Sequence, residues 1–144
     1  MEAGSFTKAL KQMAREEGLD VLFAEPSGIV IPFELRNTIM VAGRDVQVSA
    51  GPVVLLFDGT RPEAPFGEDV EHITLQQIVQ SDLVVITKSA GADAESLRRL
   101  ESRIAQAAPG AAVRRVDFHS GEGVLALVDA VLGERKDEEV SSAA

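Results

Sequence analysis

Hydrophobic residues along the chain follow two alternating patterns. Apolar residues at helical spacing, such as Phe6, Leu10 and Met13, predict amphipathic helices, whereas short apolar runs such as VVLLF predict strands covered on both faces. The predicted helices are 5–17, 32–42, 68–80, 93–107 and 124–132, and the predicted strands are 20–24, 53–57, 83–86 and 112–118. This alternation predicts an α/β fold in three layers, with a mostly parallel sheet of about four strands and helices on both faces.

Local signals refine the ends of these elements. Pro32 suits the start of the second helix, because a proline at the first helical position loses no hydrogen bond. Arg114 and Arg115 interrupt the last strand, which we therefore expect near an edge of the sheet. Residues 134–144 are polar and lack caps, so we expect a single domain over 1–133 followed by a disordered tail.

Composition and charge exclude several classes of protein. The chain has 144 residues, 45% of them hydrophobic, and its longest apolar runs are strand-sized, which favours a globular protein of the cytoplasm without a membrane segment. It has no cysteine, so disulfides, thiolate metal sites and a cysteine nucleophile are excluded. A net charge of −9 without a basic patch argues against nucleic acid as a partner.

Ligands of open parallel sheets bind beyond the carboxyl ends of the strands, which directs attention to four loops. These loops are 25–28, 58–61, 87–90 and 117–123. We expect any functional residues to lie there.

The first two loops contain carboxylates. Glu25 and Asp58 each follow a buried strand and are candidate Mg²⁺ ligands, and Gly28 would let its backbone N–H approach a phosphate. The alternative for Glu25 is a solvated side chain in a turn, and for Asp58 a capping or turn aspartate.

The last two loops contain other polar groups. Lys88 is placed to lay its alkyl stem along a planar base, with a solvated charge as the alternative. The run SGEG offers backbone N–H groups at a helix N-terminus, which favours an anion, and the alternative is a helix cap by Ser120.

Taken in order, the segments EPSG, a strand ending in Asp58, LVVITK and SGEG resemble the CobW/HypB/UreG family of metal-chaperone and cofactor-assembly GTPases. The resemblance covers roughly residues 6–133 and implies a truncated P-loop NTPase-like fold. The run LFAEPSGIVIP looks most like CobW-type members found beside corrinoid-dependent methyltransferases.

The resemblance implies roles for particular residues. Glu25 and Gly28 match the family's ExxG motif on the Mg²⁺ and γ-phosphate side of the site. Thr87 and Lys88 match the first two positions of the motif that packs on guanine, and Ser120 lies in the loop that matches the family's last guanine-contacting loop. These residues are the candidate nucleotide-binding set, with Mg²⁺ and GTP as the implied ligands.

Several family features are missing from the sequence. It contains no GxxxxGK[ST] motif, whose backbone and lysine hold the phosphates, and no cysteine motif for a metal. Ala90 replaces the aspartate that reads the guanine amino groups, and an alanine side chain cannot accept those hydrogen bonds. We therefore expect binding of GTP and Mg²⁺ to be weak or absent, and no GTP hydrolysis by this chain alone.

Three functions follow as hypotheses. The first is a degenerate or truncated CobW-like GTPase domain, related to metallocentre or corrinoid cofactor assembly and catalytically silent alone. The second is part of an active GTP-hydrolysing metallochaperone whose P-loop comes from another chain or segment. The third is a structural α/β interaction module. In each case we expect a protein partner, or a homodimer formed through an exposed sheet edge.

Overall fold

The computed structural model describes residues 3–142 of the chain, with side chains over residues 4–133. The chain divides into two compact units, Met1–Ala50 and Gly51–Ala144. The single domain over 1–133 stays a prediction.

The first unit contains two helices, α1 (Ala3–Met13) and α2 (Pro32–Ala42). Pro32 occupies the first turn of α2, and Gly43 follows its last residue, which confirms the predicted bounds. Helix α1 was predicted to continue to residue 17 but ends at Met13, and turns lead from there to Gly18, which has a φ of 79°. Leu10 of α1 and Ala42 of α2 are buried.

The strand predicted over 20–24 is wrong. Residues 19–27 have no regular secondary structure, and the side chain of Phe23 is 78% exposed. A strand is stabilised by backbone hydrogen bonds to a neighbouring strand, and no described residue of the first unit lies in a strand that could supply them. The run DVLFA thus has the composition of a strand but lies in a unit whose described residues form no strand.

The second unit contains a parallel sheet. Its described strands are β1 (Val54–Asp58), β2 (Leu83–Thr87) and β3 (Ala112–Val116), in the order β1-β2-β3, so the described sheet has three strands rather than about four. Its helices are α3 (Glu71–Gln80), α4 (Ala94–Ala107) and α5 (Val124–Ser142), with short 3-10 helices at Ala64–Phe66 and Ser89–Gly91. Strand β3 ends the strand order, as its two arginines predicted.

Alternate residues of β2 point to opposite faces of the sheet and into two apolar clusters. Val84 and Ile86 pack in a cluster with Ile78 of α3 and Leu100 of α4. On the other face, Leu83 and Val85 pack with Val116, and partly buried residues of α5 lie against them. Helices thus cover both faces of the sheet, which confirms the predicted three-layer α/β fold.

Helix α5 is longer than predicted. It was expected to end at Leu132 and instead continues to Ser142, through residues that the sequence assigned to a tail. The disordered tail over 134–144 stays a prediction, and residues 143–144 lie outside the described residues. In the described part of the chain, no helix is both long and apolar enough to cross a membrane.

Candidate functional site at the carboxyl ends of the strands

Three loops of the second unit follow the carboxyl ends of parallel strands. They are 58–61 after β1, 87–90 after β2 and 117–123 after β3. In the register of the sheet, Asp58 pairs with Thr87 and Thr87 pairs with Val116, so the loops leave the sheet at one edge. This edge is where open parallel sheets bind ligands.

Asp58 is the most strongly hydrogen-bonded acid of this edge. Its Oδ1 accepts hydrogen bonds from the Thr60 hydroxyl at 2.6 Å and the Thr60 backbone N–H at 3.0 Å. Its Oδ2 accepts one from the Lys88 ammonium at 2.6 Å, and Arg61 Nε lies 3.9 Å away. These contacts, Lys88 first, hold the pKa of Asp58 far below its ordinary value, so the carboxylate is ionised at neutral pH.

The backbones after β1 and β2 are in close contact. The Gly59 N–H donates to the Thr87 carbonyl at 2.9 Å, and the Thr87 hydroxyl donates to the Phe57 carbonyl at 3.0 Å. A Cβ at Gly59 would lie 2.8 Å from the Thr87 carbonyl oxygen, so only glycine fits there. Lys88 follows with a left-handed backbone, φ 56° and ψ 30°, a conformation that costs energy in a non-glycine residue.

Asp117 organises the third loop. It is 7% exposed, and its Oδ1 accepts hydrogen bonds from the backbone N–H groups of His119 and Ser120, each at 2.9 Å. The N–H of Ser120 is the largest cause of the lowered pKa of Asp117, and the N–H of Ala90 in the neighbouring loop also contributes. The Asp117 carboxylate therefore holds the backbone of the loop after β3.

The third loop uses its own donors internally. Besides the two N–H groups on the Asp117 carboxylate, the Gly121 N–H donates to the Asp117 carbonyl at 2.9 Å, and the Glu122 N–H donates to the Ser120 hydroxyl at 3.3 Å. Gly123 has a φ of 76°, and a Cβ there would lie 2.5 Å from the Arg115 carbonyl oxygen. The loop is closed and depends on this glycine, and its donors from 119 to 122 do not point at an open anion site.

The structure brings some of the predicted site residues together at the sheet edge, whereas two others lie in the first unit. Thr87, Lys88 and Asp58 meet at one edge, with Ser120 in the adjacent loop. Glu25 is exposed in an irregular segment of the first unit, and Gly28 lies in a turn of the same unit. The nucleotide-binding roles of these residues, and a Mg²⁺ ion shared by Glu25 and Asp58, stay predictions.

Sequence reasoning did not single out Asp117. The available signal was an aspartate directly after a strand, followed by HSG, a pattern typical of side chains that bond to nearby backbone N–H groups.

The residues around Asp58 do not fit a Mg²⁺ ion as they stand. Mg²⁺ in proteins is bound by one or two carboxylates together with water and phosphate oxygens. Thr60 already bonds to one oxygen of Asp58 and the Lys88 ammonium to the other. The described residues contain no group of three or more His, Cys, Asp or Glu that could hold a metal ion.

Comparison with known proteins gives one match. The family model described as CobW/HypB/UreG, nucleotide-binding domain, matches residues 2–115. The matched range includes Glu25, Asp58, Thr87 and Lys88 and stops before the loop that contains Ser120. A search of curated proteins and a search of solved structures found no match.

Proposed function

Because the chain belongs to the CobW/HypB/UreG family through its nucleotide-binding domain, we propose that it is a degenerate member related to metallocentre or corrinoid cofactor assembly, and that it does not hydrolyse GTP by itself. The corrinoid connection rests on the run LFAEPSGIVIP, which looks like CobW-type members found beside corrinoid-dependent methyltransferases.

The absence of a phosphate cradle supports catalytic silence. P-loop GTPases obtain most of their rate from backbone N–H groups, a lysine and Mg²⁺ held around the phosphates. The sequence has no GxxxxGK[ST], and the N–H donors of the loop 119–122 are used within that loop. No group described at this edge replaces the missing cradle.

The single observation that carries the proposal is the state of the polar groups at the sheet edge. Asp58 bonds to Lys88, and Asp117 bonds to its own loop, so both carboxylates of this edge already accept hydrogen bonds from the chain itself. Ala90 offers no side-chain acceptor for the amino groups of guanine. We therefore expect weak nucleotide binding with little preference for guanine.

Calorimetric titration of the full chain with GTP, GDP and ATP in the presence of Mg²⁺ tests the proposal, together with a phosphate-release assay. We expect no phosphate release above a protein-free blank, and no heat or only weak heat with millimolar nucleotide. Ala90→Asp restores an acceptor and should shift any residual binding towards guanine nucleotides. Ala105→Asp adds the same charge on the exposed side of α4 and should not.

Either of two results would contradict the proposal. Phosphate release by the unmodified chain, or clear GTP binding that Lys88→Ala or Glu25→Ala weakens, would mean that the site works without its P-loop.

A second candidate function is an active GTPase whose P-loop comes from another chain or segment. The retention of Thr87, Lys88 and Asp58 at one edge favours it. A neighbouring reading frame that encodes GxxxxGK[ST] and a cysteine-rich motif would identify the second chain. Mixing the two chains should then give phosphate release that neither gives alone, and Lys88→Ala should reduce it.

We also expect a second copy of this chain to pair at the outer edge of β1. The Val53 carbonyl and the Gly59 N–H bond towards β2, so by alternation the backbone groups of Val54, Leu56 and Asp58 face the other side. Leu56 is 58% exposed although it lies in an apolar strand. Sedimentation of the unmodified chain should show a dimer, which Leu56→Lys should weaken.

A further inference from the structure

We propose that the Lys88 ammonium is the resident counter-ion of Asp58, so that this edge of the sheet excludes Mg²⁺ and any nucleotide bound there is bound without a divalent cation. The ligand class rests on the proposed function, whereas the exclusion of the cation rests on the chain's own residues. The two parts are tested separately below.

The contacts of the Asp58 carboxylate carry the inference. Both oxygens accept short hydrogen bonds, Oδ1 from the Thr60 hydroxyl and Oδ2 from Lys88, each at 2.6 Å. The Arg61 guanidinium adds a second positive charge on the side of Oδ2, at 3.9 Å. A divalent cation approaching Oδ2 would meet two positive side chains, which repel it.

The ion pair lies at the surface, and its carboxylate is better covered than its ammonium group. The Asp58 side chain is 23% exposed, compared with 65% for Lys88. Charges that are partly removed from water are screened less, by solvent and by salt, than charges on the open surface. Because Lys88 is open to water and salt, the short hydrogen bond and the backbone, rather than burial, keep it at the carboxylate.

The backbone positions Lys88 beside Asp58. Asp58 lies opposite Thr87 in the register of the sheet, so the next residue, Lys88, starts close to the carboxylate. Lys88 has a positive φ, and its carbonyl accepts a hydrogen bond from the Gly91 N–H at 3.3 Å. Immediately before it, the Gly59 N–H holds the Thr87 carbonyl at 2.9 Å. The left-handed turn is bonded on both sides, which keeps Lys88 beside Asp58.

The coordination chemistry of Mg²⁺ favours the Lys88 ammonium over the metal ion as the partner of Asp58. Mg²⁺ requires near-octahedral oxygen ligands and gives up its water reluctantly, so a single carboxylate that already bonds to an ammonium group is a poor ligand. A covalently attached ammonium, by contrast, loses no further translational freedom when it pairs with its carboxylate.

Mn²⁺, observed as the free ion by electron paramagnetic resonance, is the probe for the divalent site. The full chain is titrated in 0.15 M salt, which suppresses non-specific attraction to a chain of net charge −9. The unmodified chain and Asp58→Asn should bind Mn²⁺ equally, within about twofold. Lys88→Met should bind at least about tenfold more tightly, and adding Asp58→Asn to Lys88→Met should abolish that gain.

Lys8→Met is the matched control. It removes one positive charge from an exposed position of α1, so it changes the net charge as Lys88→Met does. It should leave Mn²⁺ binding at the level of the unmodified chain. Circular dichroism verifies that each variant is folded. The comparison of the unmodified chain with Asp58→Asn tests the exclusion of the cation even if Lys88→Met does not fold.

Two results would overturn the exclusion of the cation. One is Mn²⁺ binding by the unmodified chain that is about tenfold tighter than binding by Asp58→Asn. The other is a folded Lys88→Met chain that gains no Mn²⁺ binding.

The nucleotide part has its own measurement. GDP binding should be equally weak in Mg²⁺ and in excess EDTA, and binding that is about tenfold tighter in Mg²⁺ than in EDTA would overturn Mg²⁺ independence. Clear Mg²⁺-dependent binding of GDP would also contradict the proposed weak nucleotide binding. The Mn²⁺ measurement uses no nucleotide, so its result does not depend on the proposed function.

Discussion

Backbone conformation at single residues shapes the candidate edge. Lys88, Gly121 and Gly123 have positive φ angles, and Lys88 is the one non-glycine residue of this kind among the described residues. Two of these residues lie in the loop after β3, and Lys88 lies in the loop after β2. Sequence reasoning selected Lys88 for its charge, whereas the turn that aims this charge at Asp58 is visible only in the structure.

Gly123→Ala should destabilise the second unit. The new Cβ would lie 2.5 Å from the Arg115 carbonyl oxygen, on a residue whose φ is 76°. We expect the free energy of unfolding, measured by urea denaturation, to fall by roughly 1–3 kcal/mol. Gly110→Ala is the control, because a Cβ at Gly110 meets nothing within 4 Å. Equal effects of the two substitutions would show that the loop after β3 tolerates a side chain.

At the scale of elements, amphipathic helices enclose one buried strand. The four residues Leu83–Ile86 of β2 are all buried because helices lie on both sides of the sheet. Alternate residues of the strand point to opposite faces and into different apolar clusters. Arg115 of β3 forms two hydrogen bonds with Glu101 of α4, at 2.7 and 2.8 Å, which satisfies a charged group on a strand that ends the sheet. Substitutions on the apolar face of each helix should therefore destabilise the fold more than substitutions on its exposed face.

Two neighbouring residues of α3 test this description. Ile78 is fully buried, whereas Val79 is 61% exposed. Ile78→Ala leaves a cavity and should lower the free energy of unfolding by about 2–5 kcal/mol. Val79→Ala should change it by less than about 0.5 kcal/mol, because alanine suits an exposed helical position. Urea denaturation of both variants is the measurement, and similar losses would mean that α3 packs differently.

For the whole molecule, several aspartates stabilise the fold in their ionised form. The pKa values of Asp45, Asp58, Asp93 and Asp117 lie below the ordinary value, because each ionised carboxylate accepts hydrogen bonds. The leading donors are, respectively, Lys11, Lys88, Ser96 and Ser120. A carboxyl group whose pKa is lowered by folding stabilises the native state above its unfolded pKa, and this contribution is lost as the pH falls.

The thermal unfolding midpoint should therefore decline as the pH falls below the unfolded aspartate pKa of about 3.9. Asp117→Asn keeps one acceptor oxygen and removes the charge, so it should lower the midpoint at pH 7 and lower it less near pH 3. Asp69→Asn makes the same charge change at an exposed residue and should have little effect at either pH. A deficit for Asp117→Asn that is the same at both pH values would contradict stabilisation by the ionised form.

Local signals determined much of the fold. Helix α2 forms with its predicted bounds because Pro32 and Gly43 mark its ends within the chain itself. Strands β1 and β2 lie within one residue of their predicted bounds, since continuous apolar runs of that length are typical of buried strands. The segment 20–24 has a similar composition and is not a strand, because a strand also needs hydrogen bonds to a neighbouring strand, which the composition of one segment does not determine.

The sequence by itself determined the α/β class, the resemblance to the family and the loops in which polar residues gather, because periodicity, turn residues and strand ends are properties of short segments. Only the tertiary structure decided how those residues interact. Asp58 bonds to Lys88, which follows the neighbouring strand and lies 30 residues further along the chain. Such contacts depend on the register of the sheet and on backbone φ angles, so the charges that a ligand would meet are set by folding as well as by composition.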